Sequence, residues 1–121
     1  MTEAIEQFQG KWKVVSLNLD GVTFDAGTVQ NSVLEIQGDH FISKGMGAVY
    51  EGRIEVDSSA SPKRFAMKFE LGPEAGNTNF GIYRFGQNQL EICIATRGDA
   101  PPADFAASPG TGHGHEIFQR L

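Results

Sequence analysis

The most constraining feature of the sequence is the pair of motifs at its two ends. Gly10-Lys11-Trp12 opens the first segment in which polar and apolar residues alternate, and Arg120 stands near the end of the last one. A tryptophan and an arginine at these places suit a sheet whose last strand returns to its first, with the Trp12 ring filling one end and Arg120 lying across it. Such a sheet closes on itself and removes its exposed edges. The two motifs therefore predict one closed barrel.

Segments with a period of two recur along the chain at the spacing of an all-β fold. The clearest covers residues 64–71, where Phe65, Met67, Phe69 and Leu71 fall on one face. Because short turns join most of these segments, we expect an antiparallel up-and-down barrel of eight strands. The predicted strands are residues 11–17, 33–37, 40–43, 49–56, 64–71, 78–85, 90–95 and 115–121.

Three segments depart from this alternation. Residues 2–8 favour a short helix, because Thr2 suits an N-cap and an apolar stripe follows it. Residues 22–32 are irregular and predict a loop or a lid. Residues 97–112 are rich in Gly, Pro and Ala, and so long a loop is usually a lid, a binding loop or disordered. Phe105 is a candidate to pack on the mouth of the barrel.

Length and composition limit the classes of protein that fit. A chain of 121 residues predicts a single domain, residues 1–121. The net charge of -5 opposes binding to nucleic acid or to anionic membranes. No apolar run approaches the ~20 residues of a spanning helix, and the acidic N-terminus does not resemble a signal peptide. We therefore expect no membrane insertion and a cytoplasmic location, provided that no leader has been removed.

Aromatic residues and one arginine are the candidate ligand-binding groups. An eight-stranded barrel either fills with side chains or holds one small ligand, and the sequence leaves both possibilities open. Arg84 would grip a carboxylate if it faced inward, but it would lie on the surface if Tyr83 and Phe85 faced inward. A shift of one residue in register decides between these, and the rarity of buried arginine favours the surface. The candidate residues are Trp12, Phe41, Tyr50, Phe69, Tyr83 and Arg84.

No pattern in the sequence points to catalysis or to a metal. Cys93 stands among apolar residues in a predicted strand, where a thiol is inert, and as the single cysteine it cannot form an internal disulfide. His113 and His115 share a strand face, but a catalytic zinc site needs a third protein ligand, and His40 is the one other histidine. We therefore predict no catalytic residues, no metal and no cofactor.

Several short motifs, in their order along the chain, resemble a known family. The resemblance covers most of the chain and is to small lipocalin-like bacterial domains of uncharacterised function, abundant in planctomycetes. It implies a calycin-like barrel and no established activity. Residues 78–83 are also similar to the Thr-Asp-x-x-x-Tyr element of lipocalins, with Asn79 in place of the acid. The motifs are residues 10–16, Pro62-Lys63, residues 81–83, residues 90–93, Phe105 and Arg120.

The leading hypothesis for function is a non-enzymatic protein that binds a small apolar or amphipathic molecule inside the barrel. The alternative is a barrel with a filled interior whose outer surface binds a protein partner. An enzyme that uses the cavity has the least support, because no catalytic constellation accompanies the aromatic residues.

Overall fold

Nine antiparallel strands and one four-residue helix are present in the part of the chain that a computed structural model describes, residues 5–45 and 47–121. A helical turn precedes them at residues 5–8, where the Phe8 amide donates to the Ile5 carbonyl. Thr2, the predicted N-cap, lies outside the described residues. The elements are β1 Gly10–Leu19, β2 Val22–Phe24, α1 Ala26–Val29, β3 Val33–Gln37, β4 His40–Gly45, β5 Ala48–Asp57, β6 Arg64–Leu71, β7 Thr78–Gly86, β8 Gln89–Ala95 and β9 His113–Arg120.

The strands form one sheet that closes on itself. Each strand from β3 to β9 pairs with the next, and β9 pairs with β1 over Trp12–Leu19. β3 pairs with the first part of β1, and the three-residue β2 pairs with its last part. The wall therefore consists of eight long strands, with β2 as a short addition in the segment that sequence left irregular. The prediction of an all-β, eight-stranded antiparallel barrel is confirmed.

The two ends of the barrel differ in their connections. β1 runs from the Trp12 end to the Leu19 end, and the antiparallel pairing fixes the direction of every other strand. The two-residue turns at 38–39 and 87–88 lie at the Trp12 end, where Gly38 and Asn88 adopt positive φ angles. Helix α1 and the loops 72–77 and 96–112 begin at the Leu19 end. Since the loop 58–63 also lies at the Trp12 end and the two-residue turn 20–21 at the Leu19 end, what distinguishes the Leu19 end is helix α1 and the long loop 96–112.

Buried side chains fall into an inner and an outer cluster. The inner cluster lies inside the barrel, and it includes Trp12, Phe41, Phe65 and Tyr83. The outer cluster joins Ile82 of β7 and Cys93 of β8 to Ala107 and Phe105 of the long loop. The loop 96–112 therefore packs against the outside of the wall. The expectation that Phe105 packs on the barrel mouth is wrong, because its partners lie on the outer face of β7, β8 and β9.

A register shift changes one predicted face of β6. Gly52 pairs with Phe69, but the next residue of β5, Glu51, pairs with Leu71, which leaves Glu70 as an extra residue. A bulge of this kind turns the following side chain to the other face. Leu71 is 59% exposed and does not share the inner face with Phe69, contrary to the alternation in the sequence.

Helix α1 is short and packs against the core of the barrel. Asp25 caps it, with a carboxylate oxygen 2.8 Å from the Thr28 amide nitrogen. Its Val29 side chain belongs to the inner cluster. Among the residues that the structure describes, no helix has the length and apolar character needed to span a membrane.

Candidate functional site

The Trp12 end of the barrel is closed by both ends of the described chain. The Trp12 ring is fully buried, and its indole N–H donates to the Phe8 carbonyl at 2.8 Å. The Arg120 guanidinium carbon lies 4.1 Å from the Trp12 ring centroid. The same guanidinium donates to the carbonyls of Gln9 at 2.6 Å and Gln7 at 3.0 Å. These contacts confirm that Trp12 plugs this end and that Arg120 lies across it.

The half of the lumen next to this plug is filled by side chains. Phe41 is 0% exposed and Tyr83 is 2% exposed, and the Tyr83 ring meets Phe8 edge-on with centroids 4.8 Å apart. The Tyr83 hydroxyl has no hydrogen-bond partner in the described part of the chain. Burial, with a further contribution from the negative charge of Asp57, raises the pKa of Tyr83. Three candidate ligand residues, Trp12, Phe41 and Tyr83, are therefore packed core.

The other half of the lumen remains accessible to water. Ser43 pairs with both Leu34 and Tyr50, and since Leu34 belongs to the inner cluster, Ser43 and Tyr50 also face inward. The Tyr50 and Phe69 ring centroids lie 5.9 Å apart. Although they face inward, Ser43, Tyr50 and Phe69 are only partly buried, and Tyr50 and Phe69 pack against the inner cluster.

Two further polar residues face this part of the lumen. Glu116 pairs with Leu17 of β1 and with Ile92 of β8, both of which contribute to the inner cluster. Asn79 pairs with the buried Met67 and is 7% exposed. We use the term open half for a set of inward-facing residues that lie toward the Leu19 end of the barrel. They are Leu17, Ser43, Tyr50, Phe69, Asn79 and Glu116.

Glu116 is the electrostatically unusual member of the open half. Burial raises the pKa of its carboxyl from 4.5 to about 7, and no hydrogen bond or neighbouring charge opposes that shift. Sequence reasoning missed this residue because it assigned no inner face to the last strand. The alternation of Glu116 with Phe118 was the available signal, since large apolar residues mark the inner face of a barrel strand.

Exposed apolar side chains surround the Leu19 end of the barrel, and two of them, Val49 and Leu71, lie on the outer face of the sheet. Of the six large apolar side chains that are exposed in the described residues, four lie where strands begin or end at the Leu19 end. Single exposed apolar residues are common, but several at one opening indicate an interaction site. They are Leu19, Val22, Val49 and Leu71, with exposed fractions of 38%, 61%, 50% and 59%.

Arg84 lies outside the lumen. Its neighbours Tyr83 and Phe85 take the inward positions of β7, so the surface alternative is the observed one. The Arg84 Nε lies 2.5 Å from Glu91 Oε1, and the guanidinium carbon lies 4.1 Å from the Phe105 ring centroid. His115 Nε2 approaches the other oxygen of Glu91 at 2.6 Å. The hydrogen bond from Arg84 is the main cause of the lowered pKa of Glu91. Arg84 is thus a member of a surface charge network.

An outer groove of about 630 Å³ lies beside this network. Its lining includes Pro62, Lys63, Arg84 and Phe105, and also Tyr83 and Phe85, which take the inward positions of β7. The groove is broadly open to solvent, and the charge of Arg84 is already matched by Glu91. Because ligand sites generally combine enclosure with a few free polar groups, the open half of the lumen is the stronger candidate.

The residues considered for catalysis or metal binding lie apart from the open half. Cys93 is 0% exposed on the outer side of β8, where burial raises the pKa of its thiol. His115 faces outward and binds Glu91. Within residues 5–45 and 47–121, no group of three or more His, Cys, Asp or Glu side chains is arranged to hold a metal ion.

Comparisons of the chain with protein-family models, with curated proteins and with solved structures gave no match. The likeness to lipocalins therefore rests on architecture alone. The closed barrel of eight antiparallel strands is consistent with a lipocalin-like fold. Of the six candidate ligand residues, the fold brings Tyr50 and Phe69 together in the open half and puts Arg84 on the outer surface.

Proposed function

We propose that the protein binds a small apolar or amphipathic molecule in the open half of its barrel and acts without catalysis. The observation that carries this proposal is that two inward-facing aromatic side chains toward the Leu19 end, Tyr50 and Phe69, are only partly buried. By comparison, the inward-facing Trp12, Phe41 and Tyr83 are at most 2% exposed. The inward-facing Tyr50 and Phe69 are reached by solvent.

The chemical character of the open half supports this class of ligand. Small-molecule sites have mostly apolar walls and a few polar groups that orient the ligand. Leu17, Tyr50 and Phe69 supply apolar surface, while Ser43 and Asn79 supply a hydroxyl and an amide. The exposed apolar side chains around the Leu19 end offer a surface that an amphipathic molecule meets before it enters.

Binding is tested with phenylnaphthylamine, an uncharged fluorescent amphiphile. The purified full-length protein is titrated with the dye, and we expect a saturable rise in fluorescence at one dye per chain. Native mass spectrometry of the untreated protein provides a second measurement, because a molecule carried through purification adds its mass. Absence of both signals would overturn the proposal.

A matched pair of variants locates the site. Ser43→Phe adds a ring to the inner face of β4, whereas Ser16→Phe adds the same ring to the outer face of β1, where Ser16 pairs with Ile117. We expect Ser43→Phe to weaken dye binding about tenfold or more, since a filled site excludes the ligand. Ser16→Phe should bind as the parent does. Equal binding by both variants, with both folded by circular dichroism, would place the dye outside the lumen.

Three further parts of the proposal come from the sequence. They are a relationship of this chain to the planctomycete-type bacterial family, a cytoplasmic location, and a protein partner as the alternative to a small molecule. The alternative gains support if the dye does not bind and the outer surface captures a defined partner in its place.

A further inference from the structure

The side chain of Glu116 lies inside the barrel without a counter-charge from the protein. Its cross-strand neighbours are Leu17 and Ile92, so the strands on both sides present apolar groups to it. Glu91 of the neighbouring β8 and His115 of β9 itself are titratable, but they pair with each other on the outer face. Glu116 therefore has apolar cross-strand neighbours on both sides, and its own side chain is partly buried.

No cationic side chain of the described chain reaches this carboxyl group. All ten lysine and arginine residues are exposed, and the histidines that form ion pairs, His40 and His115, do so with Glu51 and Glu91. β1 and β8, which flank Glu116, direct only apolar side chains inward at its level. The titratable groups that share the lumen from the opposite strands are the phenols of Tyr50 and Tyr83.

An uncompensated carboxylate in an apolar lumen selects the charge of its ligand. Removing an ionised carboxylate from water is unfavourable unless a cation or several hydrogen bonds replace the water. The raised pKa of Glu116 is the expression of this penalty in the free protein. A ligand with an ammonium group would relieve the penalty, whereas a carboxylate ligand would add repulsion.

The remaining polar groups of the open half suit the same ligand. An ammonium group donates several hydrogen bonds, and the side-chain oxygens of Ser43, Tyr50 and Asn79 can accept them. Leu17 and Phe69 supply contacts for a hydrocarbon body.

We propose that the ligand of the open half is an amphipathic ammonium compound, with its cationic nitrogen bound by Glu116 and its apolar body in contact with the walls. This inference rests on the proposed function, because it names the chemical class of molecule that the same site takes.

The test is displacement of bound phenylnaphthylamine at about pH 8 by three compounds with the same hydrocarbon chain: octylamine, octanol and octanoate. At that pH the amine is a cation and the fatty acid an anion. We expect octylamine to displace the dye at about tenfold lower concentration than octanol, and octanoate to be the weakest. The advantage of octylamine should grow as the pH rises through the pKa of Glu116.

Two carboxylate variants make the test specific. Glu116→Gln removes the charge with almost no change in shape and should abolish the advantage of octylamine over octanol. Glu35 is the cross-strand partner of Lys11 and Ile42, whose side chains face outward, so its carboxylate lies outside the barrel. Glu35→Gln should therefore retain the advantage of octylamine over octanol. The melting temperature of each variant shows that it is folded.

The outcomes separate the inference from the proposed function. If the dye binds and the three compounds compete equally, the cation specificity is overturned while small-molecule binding stands. If Glu116→Gln keeps the preference for octylamine, Glu116 is not the group that binds the cation. If the dye does not bind to the parent protein in any condition, the proposed function itself fails.

Discussion

The Arg120 guanidinium lies over the Trp12 ring at 4.1 Å and donates hydrogen bonds to the carbonyls of Gln7 and Gln9. One side chain from the last strand thus holds the N-terminal turn against the plug of the barrel. The Leu121 amide extends the same junction by donating to the Lys11 carbonyl at 2.9 Å. Closure of this end therefore depends on contacts between the two termini of the fold.

Replacing this arginine should loosen the closed end. Arg120→Ala removes a cation–π contact and two hydrogen bonds, and we expect it to lower the free energy of unfolding by about 1–2 kcal/mol. Urea denaturation followed by circular dichroism measures the change. Arg53→Ala is the control, because Arg53 forms only surface ion pairs with Asp39 and Glu70 and should lose less than about 0.5 kcal/mol. Equal losses would show that Arg120 is an ordinary surface charge.

Truncation of the plug itself should be more severe. Trp12→Ala leaves a cavity at a fully buried site and removes the donor to the Phe8 carbonyl, at an expected loss of ~3–5 kcal/mol. Because Trp12 is the single tryptophan, unfolding has to be followed by far-ultraviolet circular dichroism. Lys13→Ala, at the exposed neighbouring position, should change stability by about 0.5 kcal/mol or less. A Trp12→Ala protein with the parental urea midpoint would contradict the plug assignment.

Replacement by alanine should destabilise the protein at one glycine and have little effect at another. A Cβ at Gly52 would lie 1.9 Å from the Lys68 carbonyl oxygen, so Gly52→Ala must push β5 and β6 apart. A Cβ at Gly114 would lie 3.5 Å from Leu19 Cδ1, an ordinary contact distance. By differential scanning calorimetry we expect Gly52→Ala to lose about 1–3 kcal/mol or more and Gly114→Ala to change little. A tolerated Gly52→Ala would argue against the close strand pairing at the bulge.

The partly buried carboxyl of Glu116 predicts a pH-dependent stability. Its pKa is about 7 in the folded protein against 4.5 as the reference value, so the folded state holds more protons between these values. The contribution of Glu116 is therefore fully present below about pH 4.5 and is lost as the pH rises through 7. Glu116→Gln lacks this titration.

Thermal unfolding over a pH series measures this effect as the difference between the two proteins. We expect Glu116→Gln to have the higher melting temperature at about pH 8, with the difference shrinking toward acid pH. The groups whose pKa values are lowered, Asp25, Asp57 and Glu91, titrate below this window and are common to both proteins. Parallel melting curves across the series would mean that Glu116 is well solvated.

Local alternation was sufficient to predict most of the strands. In β6, for example, the period of two correctly separates Phe65 and Met67 from Arg64 and Lys68, because adjacent side chains of a strand point to opposite faces. The same rule failed at Leu71, where an extra residue shifts the pairing with β5. A bulge depends on how two distant strands meet, and a single strand carries little sign of it.

The inner face of a strand was harder to predict wherever both faces carry large side chains. In β7, Ile82 and Tyr83 are both almost fully buried, one beneath the long loop and the other in the lumen. Hydrophobicity therefore could not decide which of Tyr83 and Arg84 faced inward. The pairing of β7 with β6 and β8 decided it and put Arg84 on the surface beside Glu91.

By itself the sequence determined the strand segments and the meeting of Trp12 with Arg120. Both follow from the order of residues along the chain: the strands from the alternation of polar and apolar residues, and the meeting from the motifs at the two ends. Only the tertiary structure decided which of the inward-facing side chains are fully buried and that Glu116 faces into the barrel. Those properties depend on register around a closed ring of strands, where a shift of one residue exchanges the inner and outer faces.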